Sequence, residues 1–278
     1  MTSFSVAGED DSWMVYDRPS AEGFPLVVRL RTGNEDLLNF ARRNVISAVR
    51  FVAGESEIND NRMPVNMGPL YDLEDQLVAH FVEIGTDAYQ LATVTGEGQR
   101  VLYFAGERAL QIYDLGTDEQ TEGFSVRVDR VEDAKLFWAL VTPSSAEKHL
   151  NGDQDVIENL KKDGDDGTTP RKTDFWFYGA QGPLKGLIRD LPSVGLALDH
   201  WLEDGTGIVA TRITPVDFKT FRGLTPLLLR CAERNQVTYD GWETPVLKGG
   251  AEAGIRAPLP PAQPGKSLFK RLFGQKNT

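Results

Sequence analysis

The sequence predicts an α+β protein of two domains, each built on an antiparallel sheet. Three observations carry that expectation. The chain of 278 residues exceeds the usual size of one hydrophobic core, and such chains divide into domains of about 100–150 residues. Short apolar runs are joined by glycine turns, as strands in hairpins are. Helical periodicity occurs in separate stretches between these runs, without a regular alternation of strand and helix.

In the first domain, residues 1–143, residues 13–16 and 24–31 are rich in branched and aromatic side chains and read as strands, the second bounded by Gly23 and Gly33. Residues 45–52 alternate loosely, and residues 55–68, rich in Asn, Asp, Pro and Gly, form a long loop. Leu70, Leu73, Leu77, Phe81 and Ile84 recur at helical spacing, with Asp72, Glu74 and Asp75 early, where the helix dipole favours acids. Residues 88–95 and 100–105 flank Gly96-Glu97-Gly98 as a hairpin, and residues 124–131 and 135–141 suggest another.

The boundary falls after Pro143, and a helical stretch containing Val156, Ile157, Leu160, Lys161 and Lys162 opens the second domain, residues 144–247. Strand 171–178, helix 184–191, strands 195–202 and 207–213, a long helix and strand 237–242 follow. Thr214 with Pro215 is placed to start the long helix, Phe218, Phe221, Leu224, Leu228 and Cys231 give it an apolar face, and Gly223 and Pro226 should kink or restart it. The order β-α-β-β-α-β is that of the split βαβ, or ferredoxin-like, unit. Residues 248–278 are a Gly/Ala/Pro-rich flexible linker ending in a basic-aromatic tail, in which Phe269, Lys270, Arg271 and Phe273 belong to a short amphipathic peptide suited to docking a partner.

Composition narrows the chemistry. A net charge of −11 and a pI near 4.9 repel phosphate backbones, so no direct nucleic-acid partner is expected and a basic protein partner fits better. Cys231 is the only cysteine, which excludes an intrachain disulfide and a cysteine-rich zinc site; its apolar neighbours mark it as core filler. The start carries Glu9, Asp10 and Asp11 where a signal peptide needs positive charge, and no run approaches the ~18 apolar residues of a membrane span, so the expected location is cytoplasmic.

No catalytic constellation emerges, and no cofactor or metal is expected. His80, His149 and His200 lie in separate segments without partners at ligand spacing. Asp163, Gly164, Asp165 and Asp166 could form a divalent-cation loop, but an EF-hand register from Asp163 puts Thr168 at its glycine position and Asp174 at its glutamate position, so a solvated helix-to-strand loop is preferred. Tyr239-Asp240-Gly241-Trp242 places a turn-forming pair between two anchoring aromatics. Phe175-Trp176-Phe177-Tyr178 alternates in a strand, two rings to each face. Such a ring set can stack single-stranded RNA, but only with a basic groove, so a covered sheet is expected.

The segment from Val156 through Asp163-Gly164-Asp165-Asp166, the aromatic strand Phe175 to Tyr178, and Tyr239-Asp240-Gly241-Trp242 together resemble the regulator of ribonuclease E activity B family over residues 153–245. The N-terminal half, with Trp13-x2-Tyr16, Asp72-Leu-Glu-Asp75 and the following glycine-turn hairpin, is similar to domain-of-unknown-function family 695. The first resemblance implies a non-catalytic protein that binds ribonuclease E, or its basic scaffold region, and dampens RNA decay. It carries Gly164, Asp165, Tyr239, Asp240, Gly241 and Trp242 as motif positions. The chain departs from that family in its added N-terminal domain and in a basic-aromatic tail where an acidic one is expected. Two other classes stay open: a metal-dependent nuclease or hydrolase using Asp163, Asp165 and Asp166, and a structural self-association module.

Overall fold

A computed structural model describes residues 4–8, 11–116, 120–121 and 124–247. The chain divides into two compact units, one ending at Pro143 and the other starting at Ser144.

The first unit runs β1 (Trp13–Pro19), β2 (Pro25–Arg31), α1 (Glu35–Ala41), β3 (Val45–Ala53), α2 (Gly68–Glu83), β4 (Tyr89–Gly96), β5 (Gln99–Gly106), β6 (Gln120–Thr121), β7 (Phe124–Arg130) and α3 (Ala134–Val141). Its seven strands form one antiparallel sheet in the order β1-β2-β4-β5-β3-β7-β6. Helices cover both faces. Along β5, Val101, Tyr103 and Ala105 join a core with Ala41 of α1 and with Phe137 and Val141 of α3. Leu102 and Phe104 join Leu70, Leu73, Leu77 and Phe81 of α2. A strand covered on both sides favours apolar residues on both faces, as Val101 to Ala105 of β5 show, while the buried polar residues of β4 and β5 are Gln90, Thr93, Thr95 and Arg100. The β4–β5 connection pairs Gly96 with Gln99 and sets Glu97 and Gly98 at φ 52° and 73°, the two positive angles a hairpin turn of type I′ requires.

Two elements of this unit depart from expectation. Residues 135–141 form helix α3 and not the second arm of a hairpin. Asp133 caps the helix by accepting from Lys135 N and Leu136 N, and Phe137 and Val141, one turn apart, bury together. A short apolar run does not distinguish strand from helix by composition, and here the cap decides. Helix α1 was not expected at all, although Asn34 accepts from Leu37 N at 2.9 Å and Glu35 and Asp36 fill its first turn. Within the α2 segment Glu74 is buried and accepts from Gln90 Nε2 (2.6 Å) and Arg100 Nε (2.9 Å), so its charge is fully paired and ties α2 to the sheet.

The second unit runs α4 (Ser145–Lys162), β8 (Arg171–Tyr178), α5 (Gln181–Asp190), β9 (Ala197–Trp201), β10 (Gly207–Thr214), α6 (Phe218–Arg234) and β11 (Thr238–Glu243). The sheet order is β11-β8-β10-β9, with every neighbour antiparallel. Strands β8 and β9 therefore point the same way with β10 between them, and β10 and β11 likewise enclose β8. One face carries Phe175, Phe177, Ile208 and Ala210 into a core with Ile157 and Leu160 of α4, Leu184 and Leu187 of α5, and Phe221, Leu224, Leu228 and Cys231 of α6.

The start of α6 differs from expectation. Thr214 ends β10, Val216 N donates to Gly167 O at 2.7 Å and so holds the chain extended, and Asp217 is the cap, accepting from Thr220 N at 2.7 Å. The helix does not restart at Pro226: it runs unbroken from Phe218 to Arg234 with that proline inside. Burial of Phe221, Leu224, Leu228 and Cys231 along one face offsets the hydrogen bond that Pro226 cannot donate.

Candidate functional site

The acidic loop between α4 and β8 is divided by its own hydrogen bonds. Asp163 is the exposed C-cap residue of α4. Asp166 is exposed and accepts from Thr168 N (2.9 Å) and Thr168 Oγ1 (2.8 Å), a local turn that keeps its carboxyl below the usual range. Asp165 turns inward, and both of its oxygens face the Arg171 guanidinium, Oδ1 at 2.7 Å from Nη2. Asp165 and Arg171 are both covered, although the pair lies shallow in the unit. Asp165 also accepts from Gly167 N (3.0 Å) and Leu247 N (2.7 Å), while Arg171 Nη1 donates to Pro245 O at 3.0 Å. These contacts, the Arg171 fork first, lower the Asp165 carboxyl to about 2. The three carboxylates do not converge, and the buried one is a latch that fixes the segment leaving β11 to the start of β8. Gly167 has φ 73° and its missing Cβ would lie 2.2 Å from Val216 O, so only glycine fits that crossing.

Tyr239-Asp240-Gly241-Trp242 is a β-bulge. Tyr239 pairs with Phe177 and Trp242 with Phe175, while Gly241 pairs with Trp176, which leaves Asp240 as the extra residue. Residues three apart on a regular strand face opposite sides; the inserted residue brings Tyr239 and Trp242 to the same side, into the core. Gly241 supplies the φ of 126° that this needs.

The two aromatics dock α4. Trp242 stacks on Phe221 at 4.2 Å and donates its Nε1–H to Asp153 Oδ1 at 2.6 Å. Asp153 Oδ2 accepts from Thr225 Oγ1 at 2.6 Å. Tyr239 stacks with His149 at 5.4 Å, and His149 Nε2 lies 3.2 Å from Tyr239 O. Burial raises the Asp153 carboxyl to about 6 despite these donors.

A stability prediction follows from that shift. Unfolded, Asp153 titrates near 3.9; folded, near 6. Between these values the folded unit holds a proton that the unfolded chain has lost, so stability falls as pH rises through this window. From pH 7.5 to pH 5 the second unit should gain about 1.4 kcal/mol from this group. Asp153→Asn, which can still accept from Trp242 Nε1 and donate to Thr225 Oγ1, should remove most of that gain, measured as urea midpoints at the two pH values. Burial of Glu243 and Asp155 raises their carboxyls too, so a smaller rise remains.

The aromatic strand divides as its alternation requires. Phe175 and Phe177 lie in the core, and Trp176 and Tyr178 are half-buried on the opposite face. That face is not the covered sheet expected: the Lys172 and His200 side chains are 50% and 54% exposed, and Ile213 is 67% exposed. The expected requirement of a basic groove is not met, because acids surround the rings. Burial and then Asp240, Asp204 and Glu243 raise the Tyr178 hydroxyl, and Asp174 further raises the Glu243 carboxyl.

Sequence reasoning singled out Asp165 and Trp242 but missed their partners. Arg171 opens the aromatic strand, and Asp153 lies within α4, 89 residues before Trp242. An acid in a helix reads as solvated, and only its distant partner shows otherwise. Phe269, Lys270, Arg271 and Phe273 lie outside the described residues. Among the described residues no three His, Cys, Asp or Glu side chains are grouped to hold a metal ion, and no helix is long and apolar enough to cross a membrane.

No curated protein matches the chain. The resemblance of the N-terminal unit to domain-of-unknown-function family 695 gains no support. Residues 151–244, from within α4 to just past β11, match the family model described as regulator of ribonuclease activity B, so the C-terminal unit is similar to that family.

Proposed function

We propose that this chain is a non-catalytic, protein-binding regulator that acts through its C-terminal unit on a ribonuclease of the E type, or on its basic scaffold region, and modulates RNA decay in the cytoplasm. The family match over residues 151–244 carries this reading. The net charge of −11 supports it, since an acidic regulator can compete with RNA for an arginine-rich segment through contacts that fade with salt. The strand order β11-β8-β10-β9 supports a ferredoxin-like unit over residues 144–247. The engagement of Asp165 by Arg171 and of Asp166 by Thr168 weighs against the alternative of a metal-dependent hydrolase using that loop. In this reading residues 1–143 form a second domain, and residues 248–278 a linker whose basic-aromatic end docks a partner.

Affinity purification from the native cell, with and without ribonuclease treatment, tests the proposal. A ribonuclease or its scaffold should co-purify, survive the nuclease treatment and be released as salt rises. Recovery of no specific protein, or complete loss of the partner on nuclease treatment, would overturn it.

A further inference from the structure

From the open face of the β8–β11 sheet we infer a docking surface for an extended, arginine-rich peptide, in which guanidinium groups lie on Trp176 and Tyr178 and pair with the surrounding carboxylates. The inference rests on the protein-binding reading above and assigns it a place. Trp176 and Tyr178 are alternate residues of β8 on the side away from the core. Around them stand Asp174 on the same strand, Asp240 and Glu243 on β11, Asp199 on β9 and Asp204 in the turn after it. Among the described residues Lys172 lies in this group, held by Asp174 (3.3 Å) and Asp199 (3.0 Å), and His200 Nδ1 lies 2.7 Å from Asp199 Oδ2. The face is therefore an acidic frame around two rings. Burial first, then Asp240, Asp204 and Glu243, raise the Tyr178 hydroxyl, and burial first, then Asp174, raises the Glu243 carboxyl while Lys172 lowers it. The Trp176 Nε1–H closes no hydrogen bond, although the Glu243 carboxylate feels it.

The chemistry of the frame selects the occupant. Phosphate is repelled, so a nucleic acid is disfavoured. Arginine fits better than lysine, because a planar guanidinium stacks on a ring and bonds a carboxylate through two N–H groups at once. The spacing also fits. Alternate residues of a strand stand about 6.6 Å apart, so an extended peptide with arginine at every second position presents its cations at the repeat of Trp176 and Tyr178.

The test is calorimetric titration of the full chain with a synthetic arginine–serine repeat peptide, beside a lysine–serine repeat and a peptide of the chain's own residues 265–278. The arginine peptide should bind most tightly. D174N/E243Q should weaken it about tenfold at low salt, a change of about 1.4 kcal/mol, while E55Q/E57Q, which removes the same charge from an exposed turn of the first unit, should leave it unchanged. Equal weakening by both variants would reduce the effect to bulk charge and overturn the inference. So would absence of binding, tighter binding of the chain's own tail, or self-association that D174N/E243Q abolishes. If D174N/E243Q keeps full association with a ribonuclease, the surface is wrong and the regulator reading stands; if the arginine peptide binds but no ribonuclease is ever recovered, the reverse holds.

Discussion

Replacing Asp165 by alanine is expected to cost the C-terminal unit about 3–5 kcal/mol, the range for removing one partner of a covered ion pair. Three losses combine. Arg171 keeps its charge with no counterion while its side chain remains covered. Gly167 N and Leu247 N lose their acceptor. The segment after β11 loses its tie through Leu247 N, while Arg171 Nη1 to Pro245 O and Thr244 Oγ1 to Lys172 O remain. The urea midpoint of the second unit, followed by amide exchange across β8 and β11, measures the change. A double substitution, Asp165→Leu with Arg171→Met, should cost clearly less than the sum of the two single changes, because it leaves neither charge stranded. Acid gives an independent check. Asp165 titrates near 2 when folded and near 3.9 when unfolded, so its contribution is complete above about pH 4 and is lost as pH falls through 2. That trend opposes Asp153, and together they put the stability maximum of the unit at mildly acid pH. An Asp165→Ala variant that unfolds at the wild-type midpoint would show that the latch contributes nothing.

The same pair shows what the sequence could and could not disclose. Local patterns were legible: the Gly96–Gly98 turn, the periodicity of α2 and the alternation of Phe175 to Tyr178 are written in adjacent residues, and β4, β5, α2 and β8 follow them. The errors lie where a non-local contact decides. Residues 135–141 suit a strand or a helix until Asp133 caps them and Phe137 and Val141 find a core. Thr214-Pro215 looks like a helix start until the Val216 N to Gly167 O bond holds the chain extended. Asp165 and Tyr239-Asp240-Gly241-Trp242 stood out as unusual residues, yet their roles as a latch and a bulge depend on Arg171, Asp153 and Thr225. The open acidic face was hidden for the same reason: Asp174, Asp199, Asp204, Asp240 and Glu243 are scattered over β8, β9, β11 and a turn, and only the sheet order gathers them.

Trp242→Ala should be comparably damaging, at about 3–5 kcal/mol, and comparing it with Trp242→Phe separates packing from hydrogen bonding. Trp242 is buried and stacked on Phe221 at 4.2 Å, so alanine opens a cavity between the sheet and α6 that a close-packed core cannot fully close. It also strips Asp153 of a donor at 2.6 Å and leaves a buried carboxyl with Thr225 alone. Phenylalanine keeps much of the ring and loses only the indole N–H, so its cost should fall to about 1–3 kcal/mol, the desolvation of one unsatisfied buried acceptor. The carboxyl itself should respond. With one donor gone the Asp153 pKa moves further above 6, because a hydrogen bond that favoured the charged form is lost while burial persists. Trp242→Phe should therefore recover part of its deficit as pH falls from 7.5 to 5, and Trp242→Phe combined with Asp153→Asn should not. Equal costs for phenylalanine and alanine, with no pH response in either, would mean that the Tyr-Asp-Gly-Trp bulge positions a packing residue only and that the bond to α4 contributes nothing measurable.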